Sequence, residues 1–262
     1  LARRVRLDAE LVRRKLSGSR GEAKRQIEAG RVTVQGIAVP TPATLVGADA
    51  AIEMVGRGPR FVSRGGEKLD GALNRFRVPV RGRHWLDAGA STGGFTDRLL
   101  QGGAAGVAAV DVGYGQLDWS LRNDARVVVV ERKNVRSLSE ADLPWTPEGV
   151  VADLSFISLR TVLPVLASIP SPDADWVLLV KPQFEVGREN LGKNGVVKDP
   201  DLWRSSLENV VAAAESHDLG LVAAAPSDLT GPAGNHEFFI HLRRGVGAPH
   251  GLILDAAVGE LS

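Results

Sequence analysis

The sequence predicts an α/β protein in two parts: a small α/β module, then a mostly parallel sheet with helices on both faces. Three observations predict this. From residue 84 onward short apolar strands alternate with helical patterns, as in a parallel sheet wrapped by helices. The last two strands are joined only by a short Pro/Gly-rich connection, which makes that pair antiparallel. Charge is unevenly spread: residues 1–60 hold twelve Lys and Arg against six Asp and Glu, and the rest holds 20 against 25. A net charge of +1 over 262 residues therefore hides a basic front end on a slightly acidic body, the pattern of a nucleic-acid-binding module joined to something else.

Composition sets the bounds. With 44% hydrophobic and 24% charged residues the chain is ordinary globular material, enough for one large domain and a small one. No apolar run approaches a membrane span, and Leu1–Leu7 is too basic and too short for a signal peptide. The absence of cysteine excludes disulfides, zinc–thiolate sites and a thiolate nucleophile. A cytoplasmic protein without a metal site is the expectation.

Asp8 is placed to cap a first helix running to about Leu16, with Leu7, Leu11, Val12 and Leu16 on one side. Ser17-Gly18 breaks it. Ser19-Arg20-Gly21-Glu22 has capping-box spacing and opens a second helix that ends near Gly30. Val32–Val34 and Ile37–Val39 read as two strands around a turn, and Ala51–Val55 as another. Arg13, Arg14, Lys15, Arg20, Lys24, Arg25 and Arg31 gather around the helix pair. That is either a solvated face or a phosphate-binding surface. Gly56–Arg60 is a linker, so the expected divisions are 1–58, a linker 59–64, a main domain 65–243 and a tail 244–262.

The main domain opens with a helix from about Gly66 to Phe76, carrying Lys68 and Asp70. Strands are expected at His84–Asp87, Val107–Asp111, Arg126–Val130, Gly149–Asp153, Trp176–Lys181, Gly220–Ala225 and Glu237–Leu242. Helices are expected from about Gly94, at Gln116–Asn123, at Ile157–Ala167 (kinked or interrupted by its proline) and from Asp199-Pro200 to about His217. Residues 244–262 read as a Gly-rich link and a weak helix.

The chemistry is organised around Leu86-Asp87-Ala88-Gly89-Ala90-Ser91-Thr92-Gly93-Gly94-Phe95-Thr96. It reads as a strand end, a small-residue turn and a helix start. Glycines take positive φ and let backbone approach a ligand. The helix start offers free N–H groups. This is a nucleotide-type pocket at a carboxyl strand end, or a purely structural joint. Its spacing fits neither G-x-G-x-x-G nor a P-loop. Asp87 would repel a phosphate, which favours a cofactor that lacks phosphate there and carries a cation, as S-adenosylmethionine does. Gly89, Ser91, Gly93 and Phe95 are the expected contacts together with Asp87. Asp111 follows 24 residues after Asp87, where an acidic residue binds ribose hydroxyls; a turn or cap role is the alternative. Asp153 and Lys181 end two apolar strands and should project into the same crevice. Either they form an ordinary ion pair or they do chemistry. Lys68 and Glu237 could join them, though spacing alone does not bring the four together.

Two resemblances sharpen this. Arg6-Leu7-Asp8, Leu11-Val12, Ser19-Arg20, Ala23, Ile27, Gly30, Val32 and Val34-Gln35-Gly36 resemble the S4 RNA-binding domain. The turn at 86–95, with Asp111, Asp153, Lys181-Pro182 and Glu237, resembles the Rossmann-like S-adenosylmethionine-dependent RNA ribose 2′-O-methyltransferases of the FtsJ/RrmJ kind. Ser63–Leu69, Asp87–Thr96, Asp111–Leu117, Asp153–Leu159 and Lys181–Gly187 are more similar still to the TlyA family, which joins both domains and methylates cytidine 2′-hydroxyls of ribosomal RNA. Some of its members carry the name haemolysin. The resemblance implies a catalytic Lys68–Asp153–Lys181–Glu237 tetrad, with Asp153 also on the cofactor side and Asn134 at the adenine. It implies RNA contacts by Arg6, Arg13, Arg14, Arg20, Lys24, Arg25 and Arg64, and ribosomal RNA or ribosomal subunits as partner without membrane insertion. Phe61 stands where the family's linker carries Trp. The alternatives are a catalytically silent RNA-binding protein and a membrane-active haemolysin. Cytosine C5 methylation normally needs a thiolate, and Asp153-Leu154-Ser155-Phe156 departs from the Asn/Asp-Pro-Pro-Tyr/Phe of amino methylation, which leaves a ribose hydroxyl as acceptor.

Overall fold

The computed structural model describes residues 4–39, 41–56, 59–247 and 249–261. It divides into two compact units, Leu1–Arg60 and Phe61–Ser262. Arg57 and Gly58 of the expected linker, and the extreme ends of the expected first domain and tail, lie outside the described residues.

The first unit runs β1 (Val5–Arg6), α1 (Leu7–Arg13), α2 (Arg20–Glu28), β2 (Val32–Val34), β3 (Ile37–Ala38), β4 (Leu45–Val46) and β5 (Ile52–Met54). β2 is the centre of a three-stranded sheet between β3 and β5, antiparallel to both. β1 and β4 form a separate two-residue pair, too short for its alternation to be visible in sequence. Leu7, Leu11, Ala23, Ile27, Val32 and Val46 make the core. Two local expectations change. Arg6, not Asp8, is the N-cap of α1 and its side chain makes no cap bond; Asp8 sits inside the first turn, where its Oδ1 accepts the Ala9 N–H at 2.8 Å. The helix also stops three residues before Leu16, because Lys15 turns left-handed at φ 58°. Ser19 does cap α2, accepting the Glu22 N–H at 3.2 Å. Glu22 reaches back past Ser19 to the Gly18 N–H at 2.7 Å, so the capping box is half formed.

The second unit opens with α3 (Arg64–Phe76), then β6 (His84–Ala88), α4 (Gly94–Gln101), β7 (Gly106–Val110), α5 (Trp119–Arg122), β8 (Val127–Val130) and β9 (Gly149–Ala152). It continues with α6 (Leu159–Ser168), β10 (Asp175–Val180), α7 (Pro182–Glu185), α8 (Pro200–Glu215), β11 (Leu219–Pro226), β12 (Phe238–Arg244) and α9 (Gly251–Gly259). The seven strands lie in the order β11-β12-β10-β9-β6-β7-β8. β7, β9 and β10 are buried along their whole length, as strands covered on both faces must be. Leu163, Trp176, Trp203 and Phe238 pack one face, and Leu69, Trp85, Leu99 and Phe239 the other.

β6 through β10 are mutually parallel, while β12 is antiparallel to both its neighbours, β10 and β11. The consequence is topological. The carboxyl ends of the parallel strands and the amino end of β12 share one sheet edge. α6 runs through Pro164 as one helix rather than breaking. α5 is four residues instead of eight; Asp118 caps it, and the segment before it is loop. Among the described residues no helix is long and apolar enough to cross a membrane.

Leu163 is fully buried on α6 against the sheet. Leu163→Ala should lower unfolding stability by about 2–5 kcal/mol, read from urea denaturation of the full chain.

Candidate active site

The turn after β6 is built by backbone that few residues tolerate. Gly89, Ser91 and Gly93 have φ of 88°, 49° and 97°. A Cβ on Gly89 would lie 2.6 Å from the carbonyl oxygen of Asp153, so the turn rests directly on the end of β9. A Cβ on Gly94 would lie 2.8 Å from the Gly66 nitrogen. That close approach brings α3, and with it Lys68, against the start of α4.

Asp87 is fully buried behind the turn rather than facing the crevice. Its Oδ2 accepts the Thr96 hydroxyl at 2.6 Å, and its Oδ1 has no hydrogen-bond partner among the described residues. Burial pushes the carboxyl up to about 7; the Thr96 bond opposes this, and the charges of Asp153 and Asp111 add to it. Phe95 is also buried, its ring 6.0 Å from Phe239 in the core. Asp111 is half-buried and accepts the Ser91 and Gly113 N–H groups at 2.8 and 2.7 Å. Beside it a small cleft is walled by Ala90, Ala109, Leu117 and Val129. Asn134 is exposed and caps a short 3₁₀ turn by accepting the Arg136 N–H at 3.0 Å.

Four charged side chains converge in two pairs. Lys181 Nζ lies 2.5 Å from Asp153 Oδ1, and Lys68 Nζ donates to Glu237 Oε2 at 2.5 Å. Val180 faces Phe238 across the β10–β12 ladder, so Lys181 and Glu237 are next in line at the same sheet edge. Both lysines and Glu237 are buried. Lys181 also donates to Ser155 Oγ at 3.2 Å.

Sequence reasoning used the loop between Asp153 and α6 as a family motif and to exclude amino methylation, but gave Phe156 no role. Phe156 is 92% exposed at a φ of 62°, an outlier for a bulky residue. Its ring lies 5.2 Å from Phe184, over which Lys181 Nζ sits at 5.9 Å. Glu185 holds the far end of this loop, accepting the Ser158 hydroxyl at 2.6 Å and the Leu159 N–H at 2.8 Å. Burial pushes its carboxyl up, against the pull of those bonds. The only signal in the sequence was a phenylalanine stranded among loop residues at a strand end.

The cations expected to meet RNA fall into three settings. Arg6, Arg13, Arg14 and Arg20 engage Asp8 and Glu10 in the first unit. Lys24 lies 3.8 Å from Glu28, and Arg25 is exposed on the same helix. Arg64 opens α3 in the second unit and donates to the Thr230 carbonyl at 3.1 Å.

Comparison with known proteins agrees with this architecture. Residues 61–244 match the FtsJ-like methyltransferase family and residues 5–52 the S4 domain. The chain is 53% identical over 244 residues, covering 93% of it and 91% of the relative, to the 16S/23S rRNA (cytidine-2′-O)-methyltransferase TlyA of Mycobacterium tuberculosis. The chain belongs to the TlyA family. It is also 37% identical to a protein of Brachyspira hyodysenteriae named Hemolysin A, covering 90% of this chain and 99% of that one. A solved structure described as a hemolysin from Streptococcus thermophilus superposes with a TM-score of 0.76 at 37% identity, covering 99% of this chain and 96% of that one.

Asp87 makes a testable pH signature within this TlyA-family site. Its folded value of about 7 stands above the ordinary Asp value of about 3.9, so its contribution to stability is complete below the ordinary value and lost as pH rises through 7. Asp87→Asn removes the ionisation while keeping an acceptor for Thr96. Thermal melts should show the variant gaining on the wild type between pH 5 and pH 8. Equal pH slopes for the two proteins would contradict this assignment.

Proposed function

We propose that the chain is an S-adenosylmethionine-dependent methyltransferase that modifies ribose 2′-hydroxyls of ribosomal RNA, with cytidine as acceptor nucleoside. The observation that carries the proposal is the convergence of Lys181–Asp153 and Lys68–Glu237 on one sheet edge, beside the Gly89–Gly93 turn. The family's cytidine-modifying relative supports the choice of acceptor. Hemolysin is the name of some similar proteins, but buried lysine–carboxylate pairs at a glycine turn favour group transfer.

The donor set fits the cofactor. Asp111 offers a carboxylate where ribose hydroxyls can donate, and the cleft beside it has apolar walls suited to adenine. Gly89, Ser91 and Gly93 let the turn backbone approach the methionine end, and Asn134 stands for the adenine edge. Asp87 acts from behind, fixing α4 through Thr96. When bound, S-adenosylmethionine supplies a methyl already activated as a sulfonium.

What remains for the protein is to place and activate a weak nucleophile. Lys181 is ion-paired with Asp153 and donates to Ser155, and its ammonium has N–H capacity left for the ribose O2′. There its ammonium holds the hydroxyl oxygen and stabilises the negative charge that develops on it, while the hydroxyl proton passes to solvent water as the oxygen takes the methyl. Lys68 and Glu237 fix each other and orient the ribose, so the oxygen is held for in-line attack. Phe156 and Phe184 offer an aromatic platform to a nucleobase beside Lys181.

Lys181→Ala should lower methyl transfer by about 10²-fold or more. Binding of S-adenosylhomocysteine and of RNA should change little. Tritiated-methyl incorporation into ribosomal RNA from a strain lacking the enzyme, read beside both affinities, checks this; near-normal turnover removes Lys181 from the chemistry. Lys181→Arg should fail as well, since the planar guanidinium has another shape. Gly89→Arg combined with Asp111→Ala should abolish S-adenosylhomocysteine binding in calorimetry while leaving RNA binding in place.

A further inference from the structure

The first unit hides two carboxylates under its arginines, and neither has a part in methyl transfer. Asp8 is 5% exposed and Glu10 1%. Asp8 grips Arg6 as a fork, Nε to Oδ1 at 3.1 Å and Nη2 to Oδ2 at 2.8 Å, and accepts Arg20 Nη2 at 3.2 Å. Glu10 grips Arg13 the same way, at 2.7 and 2.5 Å, and accepts Arg14 Nε at 2.7 Å.

The four arginines are not equivalent. Arg14 gives its remaining donors to the Ala50 and Ala48 carbonyls, and its side chain is 22% exposed. It ties α1 to the turn before β5. Arg6, Arg13 and Arg20 have side chains 47, 63 and 61% exposed. In each of these three, Nη1 makes no hydrogen bond among the described residues. Arg6 and Arg13 are held along the Nε/Nη2 edge and Arg20 through Nη2 alone, and the outer side of each guanidinium is open.

Two physical effects then oppose each other. On charge alone, two carboxylates in a basic surface weaken RNA binding. Against this, a guanidinium fork matches phosphate as well as carboxylate, and an arginine already fixed has less freedom to lose when a phosphate arrives. Bonds from Arg6 above all hold Asp8 down at about 2, and bonds from Arg13 and then Arg14 hold Glu10 there, so both grips stay ionised at neutral pH.

We propose that Asp8 and Glu10 are positioning residues for RNA binding. They fix the inner edges of Arg6, Arg20 and Arg13 so that the outer edges present a rigid array of donors to the phosphates of a folded RNA. The proposal rests on the reading of this unit as RNA-binding.

Filter binding of the full-length chain to ribosomal RNA over a series of KCl concentrations tests it. Asp8→Asn removes a negative charge, yet should weaken binding about threefold to tenfold. It should add nothing in an Arg6→Ala/Arg20→Ala background, since it acts through those residues. Glu10→Gln should behave likewise toward Arg13→Ala. Unchanged or tighter binding by folded Asp8→Asn, or full additivity with the arginine changes, overturns the proposal. Circular-dichroism melts establish folding, and unchanged S-adenosylhomocysteine affinity shows that the second unit is intact. Should Asp8→Asn not fold, Asp8→Glu keeps the charge but shifts both guanidinium groups by one methylene; it should also weaken binding, and wild-type affinity in that folded variant overturns the proposal equally. If Arg6→Ala/Arg20→Ala alone leaves affinity and salt slope unchanged, the RNA-binding reading of this surface is what fails.

Discussion

Two lysines buried at the end of an apolar sheet must each find a carboxylate, and that requirement governs the second unit. Lys181 emerges from six consecutive buried residues of β10, and Lys68 lies on the buried face of α3. An unpaired charge in either place would be costly; stranding one partner of a buried pair typically costs about 3–5 kcal/mol. Asp153 answers Lys181 from the adjacent parallel strand. Glu237 answers Lys68 from just before β12, which runs antiparallel to its neighbours in the large sheet. Reversing β12 is what carries its first neighbour to the edge where the parallel strands end. Such pairs add little net stability over apolar packing. Their presence at one edge is what the proposed methyl transfer to a weak nucleophile requires.

The glycine turn and the tetrad are one construction. Gly89 lets the turn close onto the Asp153 carbonyl, and Gly94 lets α3 reach the same place with Lys68. Asp87 stands behind them with an Oδ1 unpartnered among the described residues, a buried polar atom of the kind that collects at functional sites. The loop from Asp153 to Ser158 is held at both ends, by Lys181 and by Glu185, and between those anchors Phe156 is driven into solvent with its backbone left-handed. A strained, exposed aromatic beside a paired lysine suits a surface that meets a nucleobase.

The first unit shows why a charge count is a coarse guide. Its six-charge excess suggested a diffuse basic face, yet its two helix-start carboxylates are buried and each is shared by two arginines. The surface is therefore a set of fixed guanidinium edges rather than a cloud of free cations. Fixed geometry trades some long-range attraction for preorganisation, which suits a structured polyanion more than a flexible one.

By itself the sequence determined everything that depends on local patterning. Apolar runs marked the seven strands of the large sheet, most continuously in β7, β9 and β10, where cover on both faces leaves no alternative to hydrophobicity. The small-residue turn, the caps at Ser19 and Asp199, and the four titratable residues were legible one at a time. The resemblance to the TlyA family grouped those four as a set; strand-end positions put Asp153 with Lys181, but spacing did not bring in Lys68 and Glu237. Lys68 and Glu237 are 169 positions apart, and only the β10–β12 register makes them neighbours of the Lys181 pair. Tertiary structure likewise decided that Asp87 and Phe95 turn inward, that Phe156 turns outward, and that Asp8 holds two arginines as well as a first-turn N–H of α1. Those outcomes depend on which surfaces the packed elements leave open, and burial is a property of the assembled fold rather than of any stretch within it.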